Sequence, residues 1–509
     1  MINAWEYIKV FFTYSESRPL IFTEGSFWLF FAVLLLGYSL VYKTRYLRSA
    51  YLLLFSLFFY FKSSGYFFVL LIFSTICDYF LGLLISTTST KWKRKAYVAV
   101  SVIINLSVLS FFKYSYFFAD SVNSLFGTKF QAYNFLASWS NSLANTNFDV
   151  SSIVLPVGIS FFTFQTISYT VDVYRRKVDP VKNIVDFGFY VSFFPQLVAG
   201  PIVRAAEFIP QLYRKYSLTK REFGHAIFLI MNGMIKKVII SDYISINFVD
   251  RVFQSPLSYS GFENLLATYG YSVQIYCDFS GYTDMAIGLA LLLGFRLPIN
   301  FNSPYKAVNI TDFWHRWHIS LSSWLRDYLY IPIGGSKKGT LRTYINLMVT
   351  MLLGGLWHGA NFRFVIWGGI HGISLALHKL WLSVFPASQQ RSALWKRILS
   401  AVFTFHVVCF SWIFFRANSM ENATAMIRQI VSRFGWQSFA QVVNSYLPVL
   451  LLMVLALGVH WFPVKWKEFY RGKFIETPAF VKLILAVLLA ILIFQVKASD
   501  IQPFIYFRF

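Results

Sequence analysis

The sequence predicts an all-α polytopic integral membrane protein, and three observations carry that prediction. Only 13% of its 509 residues are charged, against 57% hydrophobic and 20% aromatic, whereas a soluble domain carries about 25% charged residues. Apolar runs at 26–41, 66–86, 96–112, 343–361, 446–462 and 479–496 approach or reach the length that crosses roughly 30 Å of hydrocarbon. The 46 Lys and Arg residues cluster in short loops, with nearly neutral loops between some of them, as the positive-inside rule requires. Hydropathy counting gives about ten to twelve membrane segments.

Taken in order, 26–41 runs inward, 50–61 and 66–86 form a tight hairpin around Lys62–Gly65, 96–119 runs outward and 152–172 returns inward. The stretch 120–150, with Lys129 as its one basic residue, is an extracytoplasmic loop. From 183 to 241 basic loops flank an apolar stretch on both sides, so a re-entrant or in-plane hairpin is expected, tolerated where protein covers the backbone. No repeat or flexible linker divides the chain, and residues 1–509 read as one membrane domain. The start, with Trp5, Glu6 and Tyr7, lacks a signal-peptide pattern, so the first apolar span is expected to stay in place.

The net charge of +24 could suit nucleic acid, but its loop placement assigns it to topology and anionic headgroups. No nucleic-acid partner is expected. Cys77, Cys277 and Cys409 sit in apolar surroundings without partner spacing, so neither a disulfide framework nor a zinc site follows.

The stretch Tyr276–Asp284 places Asp278, Asp284 and Gly281 inside an apolar span. A charge in hydrocarbon costs on the order of 3 kcal/mol, so these acids face protein or water. Two readings stand: a glycine break with Ser280 or Asp284 as helix N-cap, or acids lining a cavity.

Five of the eight histidines lie between 315 and 378: His315, His318, His358, His371 and His378. Read as one amphipathic helix, the segment from Thr311 gathers Trp314, Trp317, His318, Leu321 and Leu325 on one face. His315, Ile319, Ser322 and Arg326 share the other. Asp312 and Arg316 are spaced for a local ion pair. The aromatic stripe singles out His318. His358, in Gly354-Gly355-Leu356-Trp357-His358-Gly359-Ala360, lies deep in an apolar span, where it is either an interhelical hydrogen-bonder or a base that works near neutral pH. Phosphate-loop, H-E-x-x-H and G-x-S-x-G patterns are missing from the sequence. Only Asp312 and Asp327 stand near these histidines as carboxylates, so no metal is expected. Cys277 is the one cysteine worth testing as an acyl carrier.

The runs Asp312–Ser322, Trp324–Tyr330 and Gly354–Ala360 resemble the membrane-bound O-acyltransferase family. Leu155–Phe161, Ala199-Gly200-Pro201, Asp278–Tyr282 and Pro503–Phe507 match as well. The likeness is nearest the branch of bacterial alginate O-acetyltransferase membrane subunits, related to the D-alanyl transferase of teichoic acid modification. It covers most of the chain, with a motif core at about 152–378 and variable C-terminal helices at 379–509, and is weakest over the first 25 residues and 385–480.

The resemblance implies a many-helix funnel in which His358 is the catalytic histidine. His318, where many relatives have asparagine, is its partner at a membrane-buried tunnel. Trp317, Trp357, Asp278, Ser320, Arg326, Asp327 and His371 are expected to bind substrate or line the cavity. His315 stands where that branch often has arginine, so it is not expected to be a family-wide catalytic group. The implied reaction moves an acyl group, acetyl from acetyl-CoA, from the cytosol toward an extracytoplasmic polysaccharide, in the bacterial cytoplasmic membrane. Acetyl-CoA is donor substrate, and no bound cofactor is expected. A separate extracytoplasmic transferase would finish the transfer. D-alanyl transfer from a carrier protein, and a transporter whose ionisable core includes Asp278 and Asp284, are the alternatives.

Overall fold

A computed structural model describes residues 12–15, 19–144, 149–198, 200–385 and 393–496. Three sequence features, the Trp5–Tyr7 start, Ala199 and the Pro503–Phe507 match, lie outside them. The described chain is helical, with no strand, and its contacts gather into two compact units. One comprises Met1–Val198, Ile202–Tyr216 and Gly359–Asn361; the other comprises Ala199–Pro201, Ser217–His358 and Phe362–Phe509.

The first unit contains α1 (Gly25–Val41), α2 (Arg45–Ser64), α3 (Phe68–Thr87), α4 (Lys91–Phe126), α5 (Phe135–Ala144), α6 (Ile159–Tyr174), α7 (Ile184–Ser192), α8 (Phe194–Leu197) and α9 (Ala205–Leu212). The chain turns between α2 and α3 at Gly65, whose φ of +62° suits a residue without a Cβ. A Cβ on Gly188 of α7 would lie 3.5 Å from Leu53 of α2 and 3.8 Å from Thr75 of α3. Positions on either side of the turn therefore sit level, and the expected hairpin is present. Inside this unit Asp78 is fully buried and accepts from Ser101 Oγ (2.5 Å) and Asn105 Nδ2 (2.7 Å), which removes the cost of an unpaired buried carboxylate. The region after 183 is cut into the short helices α7, α8 and α9. None of these is long enough to cross a bilayer.

The second unit contains α10 (Lys220–Met234), α11 (Asp250–Gln254), α12 (Gly261–Leu292), α13 (Ile310–Arg316), α14 (Ile319–Trp324), α15 (Thr340–His358), α16 (Phe362–Val384), α17 (Leu394–Arg416), α18 (Met420–Ser432), α19 (Phe439–Ser445), α20 (Leu447–Trp461), α21 (Val464–Glu476) and α22 (Ala479–Val496). Between α10 and α11 the coil widens into π-helical turns at Ile235–Asp242 and Ser245–Val249. Two consecutive lysines there both reach α12: Lys236 pairs with Asp284 at 2.8 Å, and Lys237 pairs with Asp278 at 2.5 Å and Asp242 at 2.7 Å.

This overturns the glycine-break reading of 276–284. Helix α12 runs unbroken, and its N-cap is Ser260, in a capping box with Glu263. Ser280 is buried mid-helix. Gly281 is a packing contact, because a Cβ there would sit 2.8 Å from the Gly233 carbonyl oxygen. The lysines already offset the two carboxylates, so the backbone has no need to break.

By length and composition five described helices can cross a membrane: Arg45–Thr87, Lys91–Phe126, Lys220–Gln254, Leu394–Arg416 and Ala479–Val496; a bent pair, Trp436–Ser445 with Leu447–Trp461, makes a sixth. The first of these is the α2–α3 hairpin. The count falls below the hydropathy count because the hairpin is counted once and some helices, such as α1 with 17 residues and α6 with 16, are shorter than a full span; several also bury polar side chains against protein. Helix α6, for example, buries Thr163, Gln165, Thr166, Ser168, Thr170 and Asp172. The chain is a multi-pass membrane protein.

Candidate active site

The histidine segment is two short helices rather than one. Helix α13 stops at Arg316, Trp317 is extended (φ −99°, ψ 128°), and His318 takes the left-handed conformation (φ 43°, ψ 55°) as the N-cap of α14. That conformation costs a side-chain-bearing residue roughly 1–2 kcal/mol, with His among the residues enriched there. Asn300 holds the break together. Its carbonyl accepts from Ile319 N (3.0 Å), and its Oδ1 accepts from Ser320 N (3.1 Å) and Ser320 Oγ (2.9 Å). The expected division of faces survives the break: Trp314, Trp317, His318, Leu321 and Leu325 are buried, whereas His315 and Arg326 are exposed. Asp312 and Arg316 form the expected pair at 2.7 Å.

His318 is 0% exposed. Its Nδ1 lies 3.2 Å from Asn300 Oδ1. Because that oxygen already accepts a backbone N–H, the Nδ1 facing it must carry the proton, which leaves Nε2 as the basic nitrogen. The ring meets Phe279 of α12 edge-on at 4.6 Å and Trp357 at 6.3 Å. His318 lies outside the candidate spans, and burial lowers its pKa to about 3.

His358 closes α15 and is 3% exposed. Its ring packs against Trp357 (5.0 Å), Trp367 (5.0 Å) and Phe415 (5.2 Å). Helices α15 and α16 pack closely there because Gly355 has no side chain; a Cβ would collide with the Phe364 carbonyl oxygen. The Trp357 indole touches both His318 and His358, so the two histidines named from sequence meet around one ring.

Trp367 extends the cluster to His371, whose centroid lies 4.7 Å away. His371 Nε2 stands 3.0 Å from Ser411 Oγ. Ser411 donates its own proton to the Val408 carbonyl, so His371 Nε2 is the donor. Trp317 is buried among Phe301, Phe313 and Trp412 and supports the break at His318. Ser320 is fastened to Asn300.

Three expected residues lie elsewhere. Asp278 points to Lys237. Arg326 and Asp327 pair with each other at 2.7 Å, and Arg326 lines a separate cavity of about 250 Å³ with His315 and Ser322. Among the described residues no group of three or more His, Cys, Asp or Glu is placed to hold a metal ion. Reasoning from sequence missed Asn300, Phe279, Trp367 and Ser411. Asn300 had a weak signal, an amide in the short stretch that follows α12. Its Nδ2 has no hydrogen-bond partner among the described residues, so a buried donor stands beside His318.

Two buried histidines, His318 and His358, thus lie against one tryptophan in an all-helical membrane unit. The chain belongs to the membrane-bound O-acyltransferase family, whose family model matches residues 175–420, and it is an acyltransferase. It is similar to the probable alginate O-acetylase AlgI of Pseudomonas putida, 35% identical over 96% of this chain and the whole of that protein. It is also similar to the peptidoglycan O-acetyltransferase of Helicobacter pylori, 36% identical over 80% of this chain and 78% of the relative. The teichoic acid D-alanyltransferase of Bacillus subtilis matches 52% of the chain and 70% of its own length at 31% identity.

Proposed function

We propose that this protein moves an acetyl group from a cytosolic thioester, acetyl-CoA, across the bacterial cytoplasmic membrane for O-acetylation of an extracytoplasmic polysaccharide, with His358 as general base. The observation that carries this reading is the meeting of His318 and His358 around Trp357. Similarity over nearly the whole chain to proteins named as O-acetylases supports acetyl as the group transferred.

In this reading an acceptor hydroxyl oxygen attacks the thioester carbonyl carbon while a His358 ring nitrogen takes its proton. The carbonyl oxygen gains the negative charge, and N–H donors near His318, Asn300 Nδ2 among them, stabilise it. Collapse breaks the C–S bond, and the thiolate leaves with the proton from His358. Each role contributes roughly 10²-fold or more. In a relay the attacking hydroxyl belongs to a separate extracytoplasmic transferase or acyl acceptor protein, and a polysaccharide hydroxyl then attacks that ester, forming the O-acetyl sugar and releasing the first hydroxyl.

The test is acetyl transfer from labelled acetyl-CoA in membranes carrying the protein, with a D-alanyl-charged carrier protein as the competing donor. Transfer from acetyl-CoA that disappears in His358→Ala at matched membrane levels is the expected result. Unimpaired transfer in that variant would sink the assignment, and transfer from the carrier alone would replace acetyl with D-alanyl.

A further inference from the structure

The first unit holds a second cavity, of about 580 Å³, lined by the α6–α7 loop, the start of α2 and the end of α9. At its wall stands Asp186, 1% exposed, in the first turn of α7. Neither of its carboxyl oxygens has a hydrogen-bond partner among the described residues. A helix N-terminus favours a carboxylate by only about 0.3–1 kcal/mol, far less than the penalty for burying an ion without partners. A cation entering the cavity would supply the remaining stabilisation.

Three cations stand at the cavity, Arg45, Lys177 and Lys182. Among the described residues none of them forms an ion pair with Asp186. The Arg45 guanidinium lies over the Tyr213 ring instead, 5.0 Å from its centroid, and Lys177 and Lys182 are exposed. The cavity thus presents a recessed carboxyl group beneath a rim of three cations and one exposed acid, Asp179, so the rim is net positive. That pattern is complementary to a zwitterion whose cation enters first, and the volume lies within the ordinary range for small-ligand sites.

We propose that this cavity binds an ammonium–phosphate zwitterion of the phosphoethanolamine type, its ammonium on Asp186 and its phosphate toward Lys177, Lys182 and Arg45. A primary ammonium supplies three N–H donors to the two carboxyl oxygens. A trimethylammonium supplies none and is bulkier. A phosphate has enough acceptor oxygens to engage more than one rim cation, which a single carboxylate does less well. The chemistry fits the headgroup of phosphatidylethanolamine, and the rim belongs to the basic loops that the positive-inside rule places in the cytosol.

The test uses the full chain in detergent, with lipid retention read by native mass spectrometry. The probes are phosphatidylethanolamine, phosphatidylcholine and phosphatidylglycerol of identical acyl chains, with soluble O-phosphoethanolamine as competitor. Wild type should retain phosphatidylethanolamine over phosphatidylcholine by about tenfold, the worth of a charged hydrogen bond, and Asp186→Asn should abolish the preference. The double variant Lys177→Ala/Lys182→Ala alters only exposed side chains, so it tests the site even if Asp186→Asn does not fold, and should weaken retention several-fold. Displacement by O-phosphoethanolamine assigns the free zwitterion as ligand, and lipid held against it assigns the bilayer. Equal retention of all three lipids with no effect of O-phosphoethanolamine overturns the proposal, as does an unchanged preference in folded Asp186→Asn or undiminished retention in Lys177→Ala/Lys182→Ala.

Discussion

Asn300 Oδ1 stands 3.2 Å from His318 Nδ1 while accepting the Ser320 backbone N–H at 3.1 Å. One amide oxygen therefore sets both the backbone break and the tautomer of the imidazole it supports. An asparagine far from the histidine motif in sequence decides which ring nitrogen is basic.

Asn300→Ala should lower acetyl transfer by roughly 10- to 100-fold, the usual effect of losing an orienting partner, with membrane levels near wild type. Asn300→Asp keeps the acceptor facing His318 Nδ1 but loses the Nδ2 donor and adds a charge beside the oxyanion, so its transfer should fall too while the Nδ1-protonated tautomer persists. Nitrogen-15 NMR of the His318 ring checks the tautomer in both variants, and an unchanged tautomer in Asn300→Ala would argue against the role.

The positive φ at His318 separates tolerated from untolerated substitutions by backbone alone. His318→Asn should fold normally, because asparagine shares the left-handed preference. His318→Val should lose a further 1–2 kcal/mol or about that, read as a lower unfolding temperature in detergent. Matching melting temperatures for the two variants would count against a strained backbone here.

Burial lowers the His318 pKa to about 3, below the roughly 6.5 of an exposed imidazole. Between those values the unfolded chain binds the extra proton, so stability is full above about pH 6.5 and falls as pH drops toward 3. The thermal midpoint should therefore decline from about pH 7 to about pH 5, and His318→Asn should flatten the decline. A His318→Asn profile parallel to wild type would place the sensitivity in another group.

The buried pair Lys237–Asp278 should act as structure rather than as catalyst. Lys237→Met removes the cation between Asp278 and Asp242 and should cost about 3–5 kcal/mol, whereas Asp278→Asn leaves Lys237 its pair with Asp242 and should cost less. Expression and melting temperature should fall while activity per folded molecule holds. Loss of activity in fully folded Asp278→Asn would return Asp278 to the site.

The sequence by itself determined the solvent and the class. Charge poverty, apolar runs and loop-confined basic residues leave no soluble alternative, because such a surface cannot be hydrated. It also determined the inward face at 314–325, since burial follows side-chain polarity even where the helix is interrupted. His318 and His358 were legible through the family motifs. Only the tertiary structure decided how the two histidines are held: the left-handed turn depends on Asn300, which reaches it from another segment. The same holds for Asp278 and Asp284. Their acidity in an apolar span was visible, but whether the helix breaks or runs on depends on Lys236 and Lys237, which a widened turn of a different helix brings alongside. Local pattern records what a residue needs, and packing decides which distant residue supplies it.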